Sequence, residues 1–178
     1  IVEDLLLLAR LDEGRALESE PVEMSTLVVD AVNDARVASP DHEWTVEVPS
    51  DDAPLVVVGD DARLFQVVAN LLANARVHTP AGTHVHTTLS VTGAGSADGG
   101  RVVVTVADDG PGIAPETLDR VFERFVRGDS SRSRATGSTG LGLAIVRAVV
   151  EVHGGSVSVD SEPGRTGFRI ELPLAPPS

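Results

Sequence analysis

The chain has 178 residues, 42% of them hydrophobic, which suffices for one ordinary domain with an appendage and a sizeable core. Its formal net charge of -13 argues against nucleic acid or an anionic membrane surface as the main partner, because like charges repel. The absence of cysteine excludes disulfides, thiolate zinc sites and cysteine nucleophiles, and all 14 basic residues are arginine, which excludes a P-loop, a Schiff-base lysine and a lysine-dependent protein-kinase fold.

Residues 1–12 carry apolar side chains at helical spacing and stop at Glu13-Gly14. Their longest obvious apolar run, Leu5 to Ala9, is far short of the roughly 18–20 residues that span a bilayer. An acidic linker leads to Ser25, which reads as the N-cap of a second helix ending near Arg36. Residues 43–48 alternate apolar and polar side chains as a half-buried strand does, and Leu55 to Val58 is a short apolar strand. Asp60 or Asp61 can cap the next helix, which runs to about Val77 and is ended by Pro80. Residues 84–91 and 101–108 read as strands joined by a glycine-rich hairpin loop. Residues 114–139 are short helix and a loop rich in Arg, Ser, Gly and Thr. A strong helix from Leu141 to about His153 stops at Gly154-Gly155, and two strands, 156–161 and 168–173, close the chain. The sum is a two-layer α/β sandwich, a mixed, mostly antiparallel sheet with three main helices on one face. The first 20 residues are expected to stand apart from a domain over residues 21–175.

Three short stretches carry chemistry. Asn70 and Asn74 lie four apart, hence on one face of an otherwise apolar helix, although amides are poor helix formers. The stretch Asp108 to Ile113, "DDGPGI", ends a strand with a carboxylate and two glycines that let a ligand approach bare backbone. The stretch Gly137 to Val146, "GSTGLGLAIV", puts glycines before and inside a first helical turn, where free N–H groups and the helix dipole favour an anion. Taken singly, each has a plain reading: capping or solvent-facing amides, an ordinary Asp-Gly turn, a glycine helix cap.

In the order Asn…Asn, DDGPGI, FERF, GSTGLGL, they resemble the ATP-binding catalytic domain of sensor histidine kinases, whose fold is shared by DNA gyrase, mismatch-repair ATPases and the heat-shock chaperone ATPase. The resemblance implies that Asn70 and Asn74 hold Mg²⁺ bridged to ATP, and that Asp108 accepts a hydrogen bond from the adenine amino group. It also implies that Gly110, Gly112 and Ile113 shape the base pocket, that His78 stacks near the base, and that Thr139, Gly140, Leu141, Gly142 and Leu143 meet phosphates at the helix start. Phe122 and Phe125 match a pair beside a mobile ATP lid over about 114–139, where lid-to-core packing is the plainer role. That lid is locally cationic, with Arg120, Arg124, Arg127, Arg132 and Arg134 against Glu123 and Asp129, so that Arg127, Arg132 or Arg134 is expected to reach the triphosphate. One departure stands out: the family often has a basic residue where this chain has Val77, with Arg76 about 100° away around the helix.

In the ATP-hydrolysing relatives a Glu one turn before the metal Asn activates water. Here that position is Asn70, and an amide is no general base, so ATP is expected to persist until a histidine imidazole attacks its γ-phosphorus. None of the five histidines reads as that acceptor: His42 lies in a strand-like context, His84 and His86 share a strand face that reads as solvated rather than metal-binding, and His153 ends a helix. The first 20 residues resemble the end of a dimerisation hairpin, so the acceptor is expected to precede Ile1 and the chain alone is not expected to phosphorylate itself. The resemblance further implies a response regulator as partner, no nucleic acid, a homodimeric parent anchored in a bacterial membrane, and a cytoplasmic position for this domain.

Overall fold

The computed structural model describes residues 1–14, 17–50, 54–95, 99–126 and 139–176. In chain order the elements are α1 (Val2–Asp12), β1 (Glu20–Glu23), α2 (Met24–Ala38), β2 (Glu43–Glu47), β3 (Val56–Gly59), α3 (Asp61–His78), β4 (His84–Thr92), β5 (Arg101–Asp108), α4 (Pro115–Leu118), α5 (Gly142–Val152), β6 (Ser156–Glu162) and β7 (Arg165–Pro173).

Five strands form one sheet in the order β2-β4-β5-β7-β6, with β2 parallel to β4 and the other pairs antiparallel. A parallel pair needs a crossover, and β3 with α3 supplies it. The two-residue side-chain period sends Val85, Thr87 and Leu89 of β4, Val102, Val104 and Val106 of β5, and Phe168, Ile170 and Leu172 of β7 inward. The same period carries one step further on β5 to Asp108, so that a carboxylate ends an otherwise apolar inward row.

Helices α2, α3 and α5 cover that face. Their buried residues recur at helical spacing: Leu27, Val28, Ala31 and Val32 on α2, Leu64, Val67, Val68, Leu71, Leu72 and Ala75 on α3, and Ile145, Val146, Val149 and Val150 on α5. His153 ties α5 to the start of α3: Asp60 N–H donates to Nε2 at 3.0 Å, and Nδ1 lies 2.7 Å from Val149 O. An N–H can only donate and a carbonyl only accept, so the ring is fixed as the Nδ1–H tautomer. His153 therefore works as a bracket between the two helices.

Three local expectations need correction. The sequence reading has residues 20–23 within a linker, whereas they form β1, which pairs antiparallel with β3 in a separate two-stranded sheet. The N-cap of α2 is Glu23 rather than Ser25, its carboxylate accepting from Ser25 N at 3.1 Å and Thr26 N at 2.8 Å. A Glu side chain is long enough to fold back onto these donors, and β1 fixes the backbone from which it does so. Finally, α1 does not stand apart: it packs on α5, burying Leu7, Leu8 and Leu11, while Asp12 forms an ion pair with Arg124.

Burial pushes the Glu23 carboxyl up, but the hydrogen bonds from Thr26 and Ser25 outweigh it and leave its pKa below the ordinary 4.5. A depressed carboxylate pKa contributes stability that is present above the unfolded value and lost as pH falls through the folded one. Glu23→Ala should therefore lower unfolding stability at neutral pH by about 1 kcal/mol, read by urea denaturation, and the deficit should shrink below pH 4.5.

Candidate nucleotide site

Asn70, Asn74 and His78 are spaced by four along α3 and form a row along the flank of its buried stripe. Both asparagines are half-buried. Asn70 Nδ2 donates to Gly142 O at 3.2 Å, joining α3 to the first turn of α5. Because that carbonyl can only accept, the amide orientation is determined, and Oδ1 is left as the acceptor beside the second Nδ2–H. His78 keeps an exposed edge, yet the protein around it desolvates the imidazole and pushes its pKa down, favouring the neutral ring.

Asp108 is 8% exposed at the end of β5. Burial pushes its carboxyl above the ordinary 3.8; the Gly110 N–H, which donates to Oδ1 at 3.0 Å, pulls the other way, Asp109 adds to the rise and His42 opposes it. The following loop is shaped by close approach. A Cβ on Gly110 would lie 2.6 Å from Thr79 Cγ2 and 2.8 Å from Asp108 Oδ1. Gly112 has a φ of +85°, and a Cβ there would stand 2.6 Å from Glu162 O. Ile113 packs on the core, and its N–H donates to Ser161 Oγ at 2.8 Å.

The segment expected to form a lid leaves and re-enters the domain at one point. Phe125 N–H donates to Gly140 O at 2.9 Å, and a Cβ on Gly140 (φ +70°) would lie 3.0 Å from the Phe125 backbone. The two phenylalanines divide their labour. Phe122 sits edge-on to Phe168 at 6.1 Å between ring centroids, whereas Phe125, at φ 63°, is 61% exposed. Phe122 therefore makes the expected lid-to-core packing and Phe125 does not. Arg127, Arg132 and Arg134 lie outside the described residues.

Gly142 opens α5, with Leu141 as an N-cap residue whose side chain makes no capping hydrogen bond. Among the described residues no side chain caps the first-turn N–H groups, which leaves them to another acceptor. Leu141 is completely buried, and its N–H donates to Thr139 Oγ1 at 3.3 Å. Leu143 is half-buried against the core. A Cβ on Gly142 would meet nothing nearer than Asn70 Cγ at 3.8 Å, an ordinary contact, so packing within the chain does not require glycine there.

The structure thus brings together Asn70 with the start of α5, and Asp108 with Gly110 and Thr79. Sequence reasoning missed Thr79 and the residue behind it, His42, whose Nε2 is 2.9 Å from Thr79 Oγ1. No local pattern links two residues 37 positions apart. His42 and Thr79 both line a groove of about 590 Å³ with Pro40, Asp41, Arg76 and Pro80. His84 and His86 both lie against the Thr45 hydroxyl, at 2.9 and 2.7 Å, on the outer side of the sheet. Among the described residues no group of three or more His, Asp or Glu side chains could hold a metal ion.

The family described as histidine kinase-, DNA gyrase B- and HSP90-like ATPase matches residues 59–176. The chain is 60% identical over 174 residues to a probable sensor histidine kinase, TcrY, of Mycobacterium tuberculosis, covering 98% of this chain and 35% of that protein. The sensor histidine kinase TrcS of the same organism is 49% identical, with 98% and 33% covered. The chain therefore spans about a third of the length of these curated relatives. Among solved structures, the mycobacterial sensor histidine kinase MprB superposes with a TM-score of 0.74 at 37% identity, over 89% of this chain and 100% of that one. Full-length ShkA, solved in complex with AMPPNP, gives 0.75 at 36% identity, over 99% and 36%. With the family matched over two thirds of its length and the fold of histidine kinase catalytic domains, the chain belongs to the histidine kinase branch of the gyrase B- and HSP90-like ATPases.

Proposed function

We propose that this domain binds ATP with Mg²⁺ and directs the γ-phosphoryl group to a histidine on a dimerisation hairpin of which α1 is the end. The observation that carries this reading is Asn70: an amide one turn before Asn74, tied through one Nδ2–H to the first turn of α5 with its carbonyl oxygen left to accept or to ligate.

The residues present fit the metal and the nucleotide. Amide oxygens suit a hard cation, and being neutral they add no negative charge beside a triphosphate. Asn70 Oδ1 and the Asn74 amide on the next turn of α3 would hold the ion. Bound Mg²⁺ supplies charge neutralisation at the phosphates. Ionised Asp108 accepts from the exocyclic amino group of adenine and rejects guanine, which presents an oxygen there. Gly110, Gly112 and Ile113 form the wall, with neutral His78 at the rim. The uncapped first turn of α5, between Thr139 and Leu143, takes phosphate oxygens, and the glycine at position 142, demanded by neither φ nor packing, leaves room for them. Arg127 and Arg134 are proposed to add cations from the lid, with Arg132 as a third candidate; Phe125 guards the entry.

Asn70 cannot take a proton from water, so solvent at the γ-phosphate stays unactivated and the reaction waits for a better nucleophile. The partners proposed for the parent protein are its own hairpin, as a homodimer, and a response regulator; membrane anchoring of the parent, with this domain in the cytoplasm, belongs to the same proposal. Among the described residues no helix is long and apolar enough to cross a membrane.

Three outcomes test the reading. Mixed with Mg²⁺, labelled ATP and the cognate hairpin, the domain should place label on a hairpin histidine; free phosphate released at a steady rate without the hairpin would instead identify a hydrolase. Asp108→Ala and Asn74→Ala should each weaken ATP binding by about 10- to 150-fold, as loss of a hydrogen bond to a charged partner does, and unchanged affinity in both refutes the site. Because burial raises the Asp108 pKa and the ionised carboxylate is a stronger acceptor than the neutral acid, affinity for adenosine should fall on acidification at a pH above 3.8. Asp108→Asn should lack that step in calorimetric titrations.

A further inference from the structure

The His42 side chain is 3% exposed, and both of its ring nitrogens have partners. Ser39 Oγ lies 3.1 Å and Asp41 Oδ1 3.0 Å from Nδ1, and Thr79 Oγ1 lies 2.9 Å from Nε2. Thr79 Oγ1 also lies 2.7 Å from Ala75 O. A carbonyl has no proton to give, so the single Thr79 hydroxyl proton is committed to Ala75, and His42 must be the donor to Thr79 through Nε2–H. Two hydrogen bonds from opposite sides fix the Thr79 χ1 angle. That rotamer presses Cγ2 against the backbone of Gly110, where a Cβ would come within 2.6 Å. Gly110 in turn donates to Asp108 Oδ1 at 3.0 Å.

The loop that carries His42 is itself held in place. Trp44 Nε1 donates to Ser39 O at 2.8 Å, Gly82 N to Asp41 O at 2.7 Å, and the His42 and Trp44 rings stand 5.8 Å apart. The arrangement is thus an unbroken series from an anchored loop through an imidazole and a hydroxyl to the carboxylate that faces the base.

From this series we infer that His42 is a positioning residue for base recognition: it holds Thr79, and through Thr79 the Gly110–Asp108 wall, in the geometry that selects adenine. The inference rests on the adenine reading of Asp108. It assigns to His42 no contact with the nucleotide and no part in phosphoryl transfer. It also makes the loop between α2 and β2 part of the specificity apparatus.

The test is calorimetric titration of ATP and GTP, with Mg²⁺, into the domain and into His42→Phe, His42→Gln, Thr79→Val and Asp108→Asn, each checked for the unchanged fold by circular dichroism. His42→Phe should weaken ATP by about three- to tenfold, the loss of one buried hydrogen bond, with a smaller effect on GTP, so that discrimination narrows. His42→Gln, whose side-chain amide can still donate to Thr79, should recover most of it. Thr79→Val keeps the methyl group and removes the hydroxyl; combined with His42→Phe it should add little to either single change. A merely structural role for His42 would lower the melting temperature without altering the ATP-to-GTP ratio. An unaltered ratio in His42→Phe alongside a collapsed ratio in Asp108→Asn overturns this inference and leaves the adenine reading standing. An unaltered ratio in Asp108→Asn overturns both.

Discussion

The packing of α3 against α5 across the sheet is the constraint on which the site depends. Buried aliphatic side chains on both helices, each worth roughly 1.5–3 kcal/mol when removed from water, fix their separation and rotation. Once they are fixed, the polar face of α3 and the uncapped start of α5 have no freedom to drift, and Asn70 reaches Gly142 O across the crossing. The sheet sets the third corner by register alone: Asp108 follows Val102, Val104 and Val106 on the inward row, so the same alternation that builds the core aims a carboxylate at the helices. Core and site are consequently one construction: the two helices whose buried side chains fill the first carry Asn70 and Gly142 of the second.

What could be read from the sequence follows the range of the interaction. Helices α3 and α5 and strands β4 to β7 announce themselves by period and by flanking Gly, Pro or Asp, all local signals, and the positions of Asn70, Asn74 and Asp108 come with them. Glu23 as N-cap was hidden because Ser25 is the commoner capping residue and the cap depends on β1, whose pairing with β3 joins residues more than 30 apart. The different fates of Phe122 and Phe125 were equally illegible: only the position of Phe168 on β7 decides which ring finds the core. His42 looked like a failed phosphate acceptor because its meaning lies in Thr79 and Ala75, on another helix.

The first helix adds a consequence that composition could not suggest. Leu7, Leu8 and Leu11 enter the same apolar cluster as α5, and Asp12 meets Arg124 beside Phe125. The exposed ion pair itself contributes little, since surface pairs are typically worth under 1 kcal/mol. The apolar contact matters more: it couples α1 to the helix whose first turn faces the proposed phosphates. Rotation of α1 would have to be accommodated by α5 or by loss of that contact, because close-packed interiors deform poorly.

Charge explains why a domain with a net charge of -13 can host so anionic a ligand as ATP. A carboxylate at position 70, 4 Å from a phosphate oxygen, would cost about 4 kcal/mol at an effective dielectric of 20. The amide avoids that and still offers oxygen to a cation. At α5 the attraction comes from backbone N–H groups, which carry partial positive charge without any side chain. In the proposed reading the charge of Asp108 is kept for the end of the ligand that bears no phosphate, and its burial beside Gly110 strengthens the hydrogen bond it can accept there. An acidic surface elsewhere is then compatible with binding, because the field a triphosphate meets at short range is set by these few oriented dipoles rather than by the sum of formal charges.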